Sequence, residues 1–349
     1  MTNHPARPET VAQAFDAFHG ALKLDRAERD RAVEIHNEIA GLLADQEYVD
    51  GHFLQGSLAR KTMVKPLRDI DMVVTLSPTF AARYTGELVE KSIRASASTT
   101  AGPVAAMQAL QAALEPHYPE ASFEIGKHAL MIDFGDEGFT FDVVPALDEG
   151  DDVFIANTHT GNWERSSTRQ LIRTVSERNQ ACNGRLVHQV RMTKHAVKEN
   201  PAIDGAFFGL LSESITFHAV TESLPHAEAC IEVFRLGEEL LAGTQILDPT
   251  GEDNLLSKLD NDTRTVARAA FGAWCGQAEE ALDLQAAGDH AAAIDIWRRI
   301  FGDTFPAADA QSLTTAAHAW LGGGLTSAGR VTSNTSRQVA RPSRSWRSF

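Results

Sequence analysis

Apolar residues recur at helical spacing through the first part of the chain. VAQAFDAFHGAL and ERDRAVEIHNEIAGLLA each place an apolar residue every three to four positions, so we expect two helices between about residues 8 and 45. VKPLRDIDMVVTL follows, and its run of β-branched residues predicts a strand with Pro66 at its beginning. VAAMQALQAAL, residues 104–114, returns to helical spacing.

The middle of the chain has the pattern of a β-hairpin, and the rest is helical. FEIGKHALMIDF and FTFDVVPAL are rich in β-formers and flank the glycine-containing turn GDEG. From about Ser167 onward, as in RLVHQVRMTKHAVKEN, apolar residues have helical spacing. We therefore expect an α+β protein with two domains, residues 1–165 and 166–321, and an active site in the cleft between them.

Composition places the chain among soluble globular proteins. It has 349 residues, 43% of them hydrophobic and 23% charged, enough for a substantial core. No apolar run is long enough for a membrane span, and the first residues lack the apolar core of a signal peptide. The three cysteines, Cys182, Cys230 and Cys275, have no metal or redox spacing, so we expect buried thiols in a reducing cytoplasm.

The net charge of the chain argues against nonspecific binding to nucleic acid. The net charge of -15 repels phosphate backbones. The distribution is uneven, because no Asp or Glu follows Asp309. Residues 322–349 are rich in Gly, Ser and Arg, which predicts a flexible basic tail. Its arginines are Arg330, Arg337, Arg341, Arg344 and Arg347.

Two aspartates on the predicted strand are candidate metal ligands. Side chains alternate between the faces of a strand, so Asp69 and Asp71 point the same way while Ile70, Met72 and Val74 point into a core. Two carboxylates on one face repel each other unless a cation lies between them. Mg²⁺ suits such a pair because it prefers oxygen ligands and leaves room for phosphate oxygens.

A two-metal site needs a third carboxylate. The strand FTFDVVPAL supplies Asp142, and Asp133 in LMIDF is the competitor. We favour Asp142, since it is placed mid-strand, whereas Asp133 adjoins the GDEG turn, where acids are common. An Asp-x-Asp pair alone is a weak signal in an acidic chain, and the preceding Gly-Ser turn strengthens it.

The segment Gln55-Gly56-Ser57 has the properties of a phosphate-binding turn. Gly56 has no Cβ, so a phosphate can approach the backbone closely. Ser57 offers a hydroxyl and an amide, and LARKTM is expected to open a helix whose first amides favour an anion. Three cations lie nearby, and solvated surface charge explains each at least as well as phosphate binding does: Arg60, Lys61 and Lys65.

These motifs resemble those of a known superfamily. The Gly-Ser turn and the strands PLRDIDMVV and FDVVPAL resemble the DNA polymerase β-like nucleotidyltransferases, and their order resembles the cGAS/DncV-like nucleotidyltransferases (CD-NTases) of bacterial anti-phage (CBASS) systems. RLVHQVRMTKHAVK is similar to the family's helix with a phosphate-binding lysine, and FGLLSESITFHAV to the helix whose early serine contacts nucleotide. ILDPTGEDNLLSKL resembles its DP-x-x-x-x-N segment near the bases, and IWRRIFGDTFP its FG…FP ending.

The resemblance covers most of residues 10–306 and implies roles for particular residues. It implies a polymerase β-like core of mixed sheet and helices. The metal-binding catalytic acids would be Asp69, Asp71 and Asp142. The nucleotide-binding residues would be Gln55, Gly56, Ser57, Lys194, Ser212 and Asp248, with Asn254 also matching the late segment. Lys198, one helical turn after Lys194, and Ser214 remain alternatives.

The implied reaction is nucleotidyl transfer. A ribose hydroxyl attacks the α-phosphate of a ribonucleoside triphosphate, such as ATP or GTP, with Mg²⁺ or Mn²⁺, and repetition closes a cyclic di- or trinucleotide second messenger. We expect a monomeric core, no stable nucleic-acid or membrane partner, and a regulatory protein that could contact the tail. Three alternatives stay open: a template-free tRNA-end or poly(A)-type enzyme, a non-catalytic nucleotide-binding partner, and a protein-modifying nucleotidyltransferase. His128, His195 and His218 lack metal spacing and are expected to be structural.

Overall fold

A seven-stranded mixed sheet forms the first half of the protein in the computed structural model, which describes residues 8–77, 101–135 and 137–309. Five strands lie in the order β1-β2-β5-β4-β3, and β6 joins β5 to β7. Only β2 and β5 are parallel among the strand pairs described. The strands are β1 Val49–Gln55, β2 Asp69–Leu76, β3 Ser122–Ile125, β4 Leu130–Asp133, β5 Thr140–Glu149, β6 Asp152–Asn157 and β7 Asn162–Ser166.

Helices form the second half and flank the sheet, which confirms the predicted α+β class. In the first half they are α1 Val11–Leu22, α2 Arg26–Ala44, α3 Gly56–Ala59 and α4 Ala101–Leu114. In the second half they are α5 Thr168–Ala181, α6 Arg185–Lys198, α7 Gly209–Ala219, α8 His226–Ala242, α9 Asn261–Ala286 and α10 His290–Phe301. Short 3₁₀ turns cover Glu115–His117, Leu255–Lys258 and Gly302–Thr304. The predicted tail, residues 322–349, lies outside the described residues.

Helices α1 and α2 begin where their sequences provide capping boxes. The Thr10 side chain accepts a hydrogen bond from the Gln13 amide, and Asp25 accepts one from the Glu28 amide. In each case the third helical side chain returns a bond to the cap backbone, which satisfies amides that the first turn leaves unpaired. Both helices were predicted from their apolar spacing and are confirmed.

The sheet core follows the alternation predicted for β2. Ile70, Met72 and Val74 are fully buried against apolar residues of α2 and α4. On the opposite face, Val73 packs in a smaller cluster with Val144 of β5. Asp69 and Asp71 precede Val73 on that face. They therefore lie at the edge of this small apolar cluster, where the strand begins.

The sheet has more strands than the sequence predicts. The predicted hairpin is present as β4 and β5, but its first run is divided into β3 and β4 by a turn in which the Gly126 amide donates to Ala129 O (2.8 Å). Strands β1, β6 and β7 were not predicted. NWERS in β7 is polar and only partly buried, so it lacks the apolar alternation that identifies a strand.

Aromatic side chains attach α1 to the helical half. The Phe15 ring lies 4.9 Å from that of Trp297 and 5.1 Å from that of Phe305, and the Phe18 ring lies 4.7 Å from that of Phe301. These fully buried rings explain the FG…FP ending, because both of its phenylalanines pack on α1. The predicted boundary after residue 165 falls at the end of β7, while α1 packs with the second half.

The three cysteines lie in the protein interior. Cys182, Cys230 and Cys275 are free and buried, as predicted. Within the described ranges, no helix combines the length and the apolar composition required to cross a bilayer.

Close packing of α8 on α9 makes Gly237 a sensitive position. A Cβ at Gly237 would lie 2.2 Å from Cδ1 of the buried Phe271 ring. We therefore expect Gly237→Ala to lower the free energy of unfolding by about 1–3 kcal/mol. Gly276→Ala is the control, because nothing lies within 4 Å of that exposed helical position. It should raise stability by up to about 1 kcal/mol. Urea denaturation of both variants checks this, and equal effects would contradict the packing.

Candidate active site

Strands β2 and β5 place the three predicted acids on one face of the sheet. Their parallel register pairs Asp71 with Asp142 directly, and Asp69 lies two residues before Asp71 on the same face. Asp142 is the third residue of β5, nearer the strand start than the predicted mid-strand position. The competitor Asp133 ends β4, and its Oδ1 accepts a hydrogen bond from the Gly135 amide (2.8 Å), so that carboxylate shapes the turn.

Burial and mutual repulsion act on these carboxylates together. Burial, followed by the charges of Asp69 and Asp142, raises the pKa of Asp71 to about 6, and Arg60 opposes the shift. Burial and the charge of Asp69 also raise the pKa of Asp142. A bound cation would therefore stabilise the ionised forms of Asp71 and Asp142 more than it would stabilise an exposed carboxylate.

A divalent cation suits this donor set. Oδ1 of Asp142 is buried and has no hydrogen-bond partner among the described residues, so an oxygen ligand remains available. No group of three or more His, Cys, Asp or Glu side chains in residues 8–77, 101–135 and 137–309 forms a ready-made metal cage. The aspartates thus supply the right chemistry, and their carboxylates would have to draw together around an ion.

The Gly-Ser turn lies directly against Asp71. Gly56 has a φ of +68°, and a Cβ there would lie 1.8 Å from Oδ2 of Asp71. Only glycine permits this approach. The helix predicted for LARKTM is instead the single turn Gly56–Ala59, after which Lys61 adopts a φ of 61°. Before the turn, Gln55 Oε1 accepts a hydrogen bond from Thr168 Oγ1 (3.2 Å) and so ties β1 to α5.

The predicted cleft between the halves is present beside this turn. It has a volume of about 400 Å³ and is lined from the first half by Gly56, Ser57, Asp69 and Asp71, and from the second by Lys194, Lys198 and Ser212. Asp142 does not line this cleft. It lines a cavity of about 260 Å³ with residues of the β3–β4 turn, including Lys127 and His128.

The structure distinguishes the alternatives on α6 and α7 by their contacts. Lys194 Nζ donates to Thr62 O (3.3 Å), Thr62 Oγ1 (3.2 Å) and Glu213 Oε2 (3.4 Å), whereas Lys198 lines the cleft with no ion pair in the described part of the chain. Ser212 is 1% exposed and its Oγ has no partner there. Ser214 Oγ donates to Leu210 O (2.8 Å), which leaves Ser212 as the serine that faces the cleft.

Glu213 was not identified from the sequence as part of the site, and Arg60 was named there only as a nearby cation that surface charge explains at least as well. The Arg60 side chain is 8% exposed, and its Nε donates to Glu213 Oε1 (2.6 Å). Glu213 is fully buried; burial alone would raise its pKa, but Lys194 and Arg60 hold it below its usual value. The available signal was a carboxylate inside the apolar stretch FGLLSESITFHAV. Lys65 differs, because it pairs with Asp25 (3.0 Å) at the surface.

Side chains of the segment ILDPTGEDNLLSKL stabilise a loop through hydrogen bonds within the segment. Oδ1 of Asp248 accepts hydrogen bonds from Thr250 Oγ1 (2.8 Å) and from the Glu252 amide (3.0 Å). Asn254 Oδ1 accepts from the amides of Ile246 (3.0 Å) and Leu256 (3.2 Å). Asp248 also lines a cavity of about 550 Å³. Its hydrogen bonds give it a structural role in the loop, and its nucleotide-binding role stays a prediction.

The three histidines noted in the sequence have structural contacts. His128 hydrogen-bonds to Ala156 O (2.9 Å), His195 to Phe301 O (3.0 Å) and His218 to Leu247 O (2.8 Å). Each ring thus binds a backbone carbonyl through one nitrogen, as expected for structural histidines, while Nδ1 of His195 has no hydrogen-bond partner among the described residues.

Comparison with known proteins finds a matching family model and a similar curated protein. Residues 10–179 match a family model described as the Second Messenger Oligonucleotide or Dinucleotide Synthetase (SMODS) domain. A probable cyclic nucleotide synthase of Bacillus cereus (strain VD146) is 24% identical over 271 residues, which are 72% of this chain and 81% of the relative.

Solved CD-NTase structures have the same fold. Escherichia coli MS115-1 CdnC in complex with HORMA-deltaN gives a TM-score of 0.64 at 17% identity, covering 84% of this chain and 98% of that one. Bradyrhizobium diazoefficiens CdnG with GTP gives 0.62 at 14% identity, covering 83% and 95%. Residues 10–179 are thus similar to the SMODS domain, and the chain has the fold of these solved CD-NTases.

Proposed function

We propose that this protein condenses ribonucleoside triphosphates into a cyclic di- or trinucleotide. The observation that supports this most strongly is the register of Asp71 and Asp142 on parallel strands, with the Gly56 turn against Asp71. A ribose hydroxyl of one nucleotide attacks the α-phosphate of another, and pyrophosphate leaves. Repetition of the step within the same product closes the ring.

Asp69, Asp71 and Asp142 would hold divalent cations, with Mg²⁺ as the ion we propose. Bound there, Mg²⁺ supplies stabilisation of the charge on the phosphate oxygens and lowers the pKa of the attacking hydroxyl. Asp142 orients the acceptor hydroxyl from its own cavity. Gly56 and Ser57 position the donor triphosphate, and little covalent chemistry falls to the protein.

The cations of the cleft extend the site into the helical half. Lys194 lies at the cleft wall, where its ammonium group would meet phosphate oxygens, and Ser212 has an unpaired hydroxyl. Lys198 adds a second positive charge one turn further along α6. We propose that the triphosphate lies between the Gly56 turn and these residues, which places its charge between the aspartate-bound ions and the lysines.

The relatives suggest substrates and partners. E. coli CdnC was solved with ATP and with a HORMA protein, and CdnG with GTP. We propose ATP or GTP as substrates, a regulatory protein partner, a cytoplasmic location and a role in anti-phage signalling. We also propose residues 1–165 as the catalytic domain and residues 166–321 as the helical domain.

Loss of the acids tests the reaction directly. Incubation with four ribonucleotides and Mg²⁺ or Mn²⁺, followed by phosphatase and mass spectrometry, should reveal a resistant cyclic product. The double variant D69A/D71A and the single variant D142A should give none, because phosphate charge would go unneutralised. The control D133A removes the acid that shapes the turn and should retain product. Product from D142A at the wild-type rate, or labelled tRNA extended instead, would contradict the proposal.

The raised pKa of Asp71 predicts a pH-dependent effect on stability. Because its folded pKa of about 6 exceeds the unfolded value, ionisation destabilises the metal-free fold as pH rises through 6. D71N should therefore be more stable than wild type at pH 8, by at most about 3 kcal/mol, and equal to it near pH 4.

Metal addition should reverse that order. Mg²⁺ should raise the melting temperature of the wild type at pH 8 and leave that of D71N nearly unchanged, since binding to the folded state stabilises it. Thermal unfolding with and without a chelator measures both effects. A D71N variant that is stabilised by Mg²⁺ as much as the wild type would exclude Asp71 as a ligand.

A further inference from the structure

We propose that Glu213 is a positioning residue of the triphosphate subsite, which orients Arg60 and Lys194 at the wall of the cleft. The inference rests on the proposed function of that cleft. It concerns a carboxylate that does not itself line the cleft, in contrast to its neighbour Ser212. An acid has no direct use against a triphosphate, so its effect must pass through the cations that it holds.

The carboxylate of Glu213 is fully committed to three partners. Oε1 accepts from Arg60 Nε (2.6 Å), and Oε2 accepts from Thr62 Oγ1 (2.9 Å) and Lys194 Nζ (3.4 Å). Arg60 and Thr62 follow the Gly-Ser turn, Lys194 belongs to α6, and Glu213 to α7. The bonds therefore join the phosphate-binding turn of the first half to two helices of the second.

Helix α6 reinforces the same connection through the backbone. Arg191 donates to Lys61 O (2.6 Å) and Met63 O (3.1 Å), and Lys194 donates to Thr62 O (3.3 Å). Three consecutive carbonyls are thus held by one helix. Of the side chains in this set of contacts, Glu213 provides the one negative charge.

That charge determines whether Lys194 stays ionised. The charged groups that act on Lys194 are Glu213 on α7, Arg60 after α3 and Asp69 on β2. Burial lowers the pKa of Lys194, and Glu213 opposes this effect. Without Glu213, two buried cations would face each other, and the lysine would release its proton because arginine cannot. The subsite would lose a positive charge as pH rises.

Binding of inorganic tripolyphosphate to the full-length chain tests this without any assumption about the base. Calorimetry at pH 6.5 and 8.5 compares wild type with E213Q, which preserves shape and removes charge. We expect E213Q to bind at least about tenfold more weakly than wild type at pH 8.5 and to differ less at pH 6.5. E228Q makes the same charge change at an exposed position of α8 and should bind like wild type.

A lysine-specific rescue separates positioning from general support of the fold. In E213Q/K194R the side chain stays charged at both pH values, so the pH-dependent part of the loss should disappear. A loss in E213Q that is equal at both pH values and unaffected by K194R would show a merely structural role and overturn the proposal. Wild-type affinity of E213Q at both pH values would overturn it as well.

If E213Q does not fold, a variant of Thr62 with a smaller effect on the cluster can be measured in its place. T62V removes the hydroxyl that donates to Glu213 and accepts from Lys194, and it should give a smaller loss of the same pH dependence. Unchanged affinity of T62V across pH would then contradict the proposal. Failure of the wild type to bind tripolyphosphate would refute the proposed function of the cleft itself, which distinguishes the two failures.

Discussion

Mutual repulsion among Asp69, Asp71 and Asp142 is the constraint on which the site depends. Adjacent parallel strands fix the backbone of Asp71 beside that of Asp142, so the repulsion cannot be relieved by a change of register. A slip by one residue would move Ile70 and Met72 from the core to the acidic face. The sheet core therefore supports an arrangement that is unfavourable until a cation neutralises it, which is the physical basis for proposing a metal-bound nucleotide as the ligand.

A cluster shared by the two halves provides the second charge of the site. Arg60, Lys194 and Glu213 form a buried cluster with a net positive charge, at the same cleft as Asp69 and Asp71. In the proposed complex, an anionic triphosphate would complement both sets, as a ligand of ions held by the aspartates and of the free positive charge. The aromatic contacts of α1 with α10 hold the N-terminal helix against the same helical core as α6 and α7. Catalytic geometry thus depends on contacts made between residues that are distant in sequence.

The sequence predicted those features that depend on local pattern. The alternation around Ile70 and Met72, the two N-terminal helices and the glycine at position 56 follow from side-chain spacing and steric rules. Features set by tertiary contact were not predictable. The sequence does not show that Glu213 pairs with Arg60 in a buried position, or that Asp248 and Asn254 hydrogen-bond within their own loop. The polar strand β7 has no pattern that distinguishes it from a loop.

Metal placement tests the central claim most directly. Crystals grown with Mn²⁺ and a non-hydrolysable nucleoside triphosphate allow the ion to be located by anomalous diffraction. The account predicts anomalous peaks between the carboxylates of Asp71 and Asp142, with phosphate oxygens against the Gly56 turn. Peaks at other residues, with Asp142 turned away from Asp71, would contradict it.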